Sequence, residues 1–166
     1  LSGLNSSVSN NVINGIKITG TDVILRDAEL YLSSSITPPE NKTLVALNID
    51  AEGVLIEDVG LHGFETGVLI SENASGTIRN VDFSGPCIIN AENKLPEINL
   101  TGCTATMYDG ATADVVIRCP EGLKTEAENW ISSQQVANPG LIFGIEILQD
   151  VGIGGAEIED WEEVII

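Results

Sequence analysis

The sequence predicts an all-β chain wound as a short solenoid of about 22 residues per turn, with a C-terminal cap or exchange segment. Three observations predict it. Short β-branched runs recur at a near-constant interval, and helical periodicity is absent from the first two-thirds of the chain. The interior must also be aliphatic, because 43% of residues are hydrophobic but only 4% aromatic. At 166 residues the chain is long enough for one continuous core.

The elements follow in order. Ile16-Lys17-Ile18, Val45-Ala46-Leu47, Val68-Leu69-Ile70, Cys87-Ile88-Ile89 and Val115-Val116-Ile117 are short runs bounded by Gly, Asn, Asp or Pro, which is the strand signature. A second set alternates with them. Ile56, Ile78 and Leu100 fall 22 residues apart, as do Val59, Val81 and Cys103, and Leu61, Phe83 and Ala105. Gly63 and Gly85 keep the same register. An earlier copy at Leu25, Ala28 and Leu30 is displaced by 31, and its nine extra residues fit a looped-out insertion around Ser33 to Thr43. Strands this short and this regularly spaced leave no room for hairpin turns. They suit a coil whose turns stack at about 4.8 Å, each strand pairing in parallel with its counterpart one turn later.

The stretch GVLIEDVGLHGFETGVLISENASGTIRNVDFSG resembles right-handed parallel β-helix repeats, the pectate-lyase-like superfold, and lies nearest its non-enzymatic secreted or surface members. The resemblance spans residues 12 to 118. Asp27, Asp58 and Asn80 occupy one column between inward residues, with Gly102 at the fourth place. Such a position is a sharp bend, where Asn and Asp tolerate unusual backbone angles, and the resemblance implies a structural ladder of these side chains. The adjacent column reads Arg26, Glu57, Arg79, Thr101, so opposite charges stack.

The repeat stops at Cys119, which divides the chain into a β-helix over 1–119 and a cap or assembly segment over 120–166. Thr125 to Ala137 reads as a short helix ended by Asn138-Pro139-Gly140. Leu141 to Leu148 and Trp161 to Ile166 read as strands joined by a link, Gly152 to Gly155. Either this region covers the open end of its own solenoid, or an apolar strand docks on the next subunit. The assembly residues are then Leu141, Ile142, Phe143, Ile145, Ile147 and Leu148. The apolar ending Val164-Ile165-Ile166 favours the second alternative.

Charge narrows the partners. Seven Lys+Arg against 25 Asp+Glu give a net charge of -18, which repels phosphate backbones and anionic lipid. No nucleic-acid partner and no membrane insertion are expected; the longest apolar stretch, Leu141 to Leu148, is interrupted by Gly144 and Glu146. Divalent cations are expected only as a diffuse atmosphere. The chain opens at Leu1 without an initiator Met or a signal-like segment, so a secreted form is one whose leader is already removed. Asn5, Asn41, Asn73 and Asn99 head four glycosylation sequons, where roughly two arise by chance in this composition. Asn99 lies between Ile98 and inward Leu100, so alternation points it outward. Cys87, Cys103 and Cys119 are spaced 16 apart with no CxxC. They suit one intramolecular disulfide plus a free thiol, a cross-link between subunits, or three small buried side chains.

No metal site, cofactor or catalytic set is read from the residues. Relatives that hydrolyse polygalacturonan carry Asn-Thr-Asp, Asp-Asp, Gly-His-Gly and Arg-Ile-Lys motifs; this chain has Gly60-Leu61-His62-Gly63 and no Asp-Asp pair. Asp58, Asp82 and Arg79 are what the chain offers toward a lyase cluster, although Arg79 falls beside Glu57. His62 is the one histidine, so a His-based triad or two-His site cannot form within a chain, and it reads as a surface turn residue. The expectation is an extracellular, cell-surface, N-glycosylated structural subunit that polymerises with itself into a filament, sheath or layer. The alternative is a polysaccharide lyase or hydrolase, or a carbohydrate-binding adhesion module, on the same body.

Overall fold

The computed structural model describes residues 4–9, 12–32, 42–105 and 112–149, with side chains from Asn14 onward. The Asn41 sequon, most of the Ser33–Thr43 insertion, the Gly152–Gly155 link and the Trp161–Ile166 strand lie outside the described residues.

Along the chain, β1 (Leu4–Ser9) turns back onto β2 (Val12–Ile18) as an antiparallel hairpin. Strands then alternate between two sheets through β3 (Ile24–Tyr31), β4 (Thr43–Ile49), β5 (Val54–His62), β6 (Thr66–Ile70), β7 (Ser75–Phe83), β8 (Cys87–Asn90) and β9 (Glu97–Thr101), and β10 (Thr104–Ala105) joins β9 in the same sheet. Next come β11 (Val115–Pro120), a 3-10 turn (Glu121–Leu123), α1 (Lys124–Gln135) and β12 (Phe143–Leu148). The larger sheet runs β1-β2-β4-β6-β8-β11-β12; the smaller runs β10-β7-β5-β3, with β9 also on β7. Every pairing except β1–β2 is parallel. The chain is therefore mostly β, built from parallel sheets.

Side chains of one type stack in register. In the smaller sheet Leu25, Ile56, Ile78 and Leu100 pair in sequence, the column read from the 22-residue interval. In the larger sheet Ile18, Ile49, Ile70, Ile89, Ile117 and Ile145 form one column of isoleucine across six strands. Their spacings are 31, 21, 19, 28 and 28, so the constant interval belongs to the smaller sheet alone. The connections into the larger sheet vary in length while the strand register does not.

The two inner faces form the core. Ile18, Ile49, Ile56, Ile70, Ile78, Ile89 and Ile117 have no exposure at all. Each such side chain is worth about 1.5–3 kcal/mol of hydrophobic transfer. Small residues set the approach where the backbone bends: Gly76 has φ 130, and a Cβ there would lie 2.0 Å from the Val54 carbonyl oxygen.

Candidate functional site

The polar column is a left-handed ladder. Asp27, Asp58 and Asn80 have φ of 52, 53 and 51, and Gly102 has 63. Asn80 Nδ2 donates to Asp58 Oδ1 at 3.1 Å, so the amide bridges one layer to the next. Gly102 continues the same left-handed backbone without a side chain, at the place where a Cβ would crowd Asn80 Oδ1. Beside it, Arg79 pairs with Glu57, its register partner. Asp82, in turn, accepts from the Thr104 hydroxyl at 2.9 Å. Asp58, Asp82 and Arg79 thus each engage a different neighbour.

His62 is a correction to the turn expected there. It is the last residue of β5, in register with Tyr31, and the two rings stack at 4.5 Å and 16°. Its Nε2 lies 2.5 Å from Glu29 Oε2, while Tyr31 is 71% exposed. The 31-residue displacement already aligned Tyr31 with His62, and was the signal for this cluster.

A second cluster has no signature in the sequence. Glu72 accepts from the backbone N–H groups of Glu92 at 2.8 Å and Asn93 at 2.7 Å, and from Asn93 Nδ2 at 2.9 Å. These donors, the Asn93 side chain foremost, hold its carboxyl at about 2.

Of the alternatives open for the cysteines, the intramolecular disulfide is absent. Cys87, Cys103 and Cys119 are buried free thiols. Cys87 stands in the inward column with Val68 and Val115, and Cys119 in register with Ile147, each filling an aliphatic place in the larger sheet. Cys103 lies on the opposite side, where its thiol donates to the Ile78 carbonyl at 3.5 Å. Burial pushes all three thiols up from their ordinary value.

Of the sequons, Asn73 is exposed in the turn between β6 and β7. Asn99 is exposed on β9, and its Oδ1 accepts from Gln134 Nε2 at 3.5 Å. Asn5 lies in β1 opposite Lys17.

The C-terminal region closes one sheet and extends the other. Helix α1 begins within a residue of its expected start and stops before Asn138-Pro139-Gly140. Three side chains four residues apart then meet the outer edge of β9. Trp130 Nε1 donates to the Ile98 carbonyl at 3.2 Å, and the Leu100 N–H donates to Gln134 Oε1 at 2.7 Å. Asn138 Nδ2 donates to the Leu100 carbonyl at 2.8 Å, and its Oδ1 accepts from the Cys103 N–H at 3.0 Å. The Gly102 N–H donates to the Ala137 carbonyl at 3.1 Å. Side chains thus replace the missing next strand.

The segment expected to dock on a neighbour, Leu141 to Leu148, instead supplies β12, the terminal strand of its own larger sheet. Asp114 anchors it: its backbone N–H donates to the Ile142 carbonyl at 2.7 Å and its Oδ2 accepts from the Ile142 N–H at 2.8 Å. Arg118 Nε donates to Glu146 Oε2 at 2.9 Å across the same pair of strands. Inward Phe143, Ile145 and Ile147 are only partly buried, whereas Val115, Ile117 and Cys119 one strand earlier are fully buried. An open groove of ≈ 1010 Å³ adjoins the end of β12, lined by Pro120, Glu121, Ile147 and Leu148 among others.

Among the described residues, no group of three or more His, Cys, Asp or Glu is arranged to hold a metal ion, and no helix is long and apolar enough to cross a membrane. No family model, curated protein or solved structure matches the chain.

Proposed function

We propose that the chain is a secreted, N-glycosylated structural subunit, a short right-handed parallel β-helix that assembles with its own copies into an extracellular filament, sheath or layer. The observation that carries this reading is the state of the final layer. The apolar columns run unbroken through the larger sheet and reach β12 with Phe143, Ile145 and Ile147 still half covered. A further layer would finish their burial, and another copy is a source of one. Exposed Asn73 and Asn99 support the glycan part of the reading.

Size-exclusion chromatography with light scattering on native material, together with its intact mass, tests both parts. Particles well above 17.5 kDa, and a subunit mass raised by whole glycans, are expected. A strictly monomeric species at high concentration and salt overturns the assembly, and a bare polypeptide mass overturns the glycosylation.

A further inference from the structure

Resting on the self-assembly reading, we propose that the copies stack head to tail: the edge of β12 that no described strand covers receives the β1 edge of a second copy. Two features of this chain argue for that occupant, one in its backbone and one in its charge.

Among the described residues the larger sheet ends in β1 on one side and β12 on the other, whereas α1 and the residues after it seal the C-terminal edge of the smaller sheet with Trp130, Gln134 and Asn138. Strand edges are normally blunted by Pro, by Lys, or by a charge left facing the newcomer. β12 reads FGIEIL, with neither Pro nor Lys, and its single charge, Glu146, is spent on Arg118 at 2.9 Å. Leu148 at its end is 38% exposed. A strand added there continues the hydrogen-bonded ladder and covers the isoleucine and valine columns in one step.

Charge selects which end arrives. Residues 1–20 contain Lys17 and no Asp or Glu, a net of +1. At the other end, the described residues 121–149 carry Glu121, Glu126, Glu128 and Glu146 against Lys124, a net of -3. Two C-terminal ends therefore repel each other, while a C-terminal end and an N-terminal end do not. The polarity follows from what is disfavoured as much as from what is attracted.

Cysteine pairing on the full-length chain reads the polarity directly, because the three native thiols are buried. In the double variant Ser7→Cys/Leu148→Cys, mild oxidation is expected to give a ladder of dimers, trimers and longer species on a non-reducing gel, collapsing to monomer with reductant. Leu148→Cys alone and Ser7→Cys alone are expected to stay monomeric. Ser9→Cys/Gln149→Cys repeats the test should the first pair fold poorly. Covalent dimers from either single variant overturn the head-to-tail order. A ladder that appears only after truncation at Gln149 overturns it too, since the edge is then held by the chain's own tail. Large particles by light scattering with no ladder from either double variant overturn this polarity and leave self-assembly standing. Absence of any particle above monomer overturns both.

Discussion

Glu72 shows how much a single side chain can be shaped by the loop after the adjacent strand, since β6 and β8 pair directly. Its carboxylate gathers three donors from Glu92 and Asn93, and the charged form is favoured down to about 2. The folded value lies below the ordinary 4.5, so the stabilisation is complete above that pH and is lost as pH falls from 4.5 through about 2. Acid unfolding followed by circular dichroism should therefore show the wild type losing stability relative to Glu72→Gln across that window. Parallel acid titrations of the two proteins would remove Glu72 from the account. Asp27, Asp58 and Asn80 are the opposite case, visible as a column beforehand because only residues that tolerate positive φ recur there. The thiols were ambiguous for a different reason. Equal spacing of Cys87, Cys103 and Cys119 says nothing about which face of a strand each occupies, and the inward face of a β-branched run is as natural a home as a disulfide.

At the scale of elements, α1 is a cap built from hydrogen bonds as much as from apolar contact. Its register with β9 depends on Asn138, 1% exposed, which serves Leu100 and Cys103 together. Asn138→Ala strands a carbonyl and an N–H away from water, at a cost of about 2–3 kcal/mol. Urea denaturation should register that loss, and hydrogen exchange at the Cys103 amide should accelerate; an unchanged midpoint would show that the cap is held by packing alone. The helix itself was legible from Thr125 to Ala137 and spans Lys124 to Gln135. Its partners were not. Trp130 and Gln134 share one helical face, and Asn138 follows four residues later just past the helix end, which marks them as facing something without saying that the something is a bare strand edge. β12 was legible as a strand by its alternation, but alternation cannot name the neighbour. That neighbour is β11, chosen through Asp114 and Arg118.

For the whole molecule, the balance of charge sets the conditions under which it is most stable. Three ion pairs, Arg79–Glu57, Arg118–Glu146 and Lys124–Glu121, are present among the described residues, all at least partly exposed, and each is worth tenths of a kcal/mol. Against them stands the self-repulsion of a net -18. The repulsion dominates, so salt should stabilise: the melting temperature should rise between low and about 1 M NaCl, by about 2–4 °C for each kcal/mol of repulsion relieved. A fall over that range would mean that the local pairs outweigh the field. The smaller sheet was readable throughout, because its strands repeat and Ile56, Ile78 and Leu100 announce themselves by arithmetic. The larger sheet was readable strand by strand from β2 onward, though β1 gave no signal, and not as a column, since its connecting segments differ in length and the six isoleucines lose their period in the sequence while keeping it in space.

That last feature makes the chain an editable material. Ile56 and Ile78 are equivalent rungs, so excising residues 57–78 would splice one rung onto the next with Arg79 following Ile56. The shortened product would keep both ends and most of its side-chain rows. The width of each sheet, in such a molecule, is a quantity set by how many strand repeats a gene happens to encode.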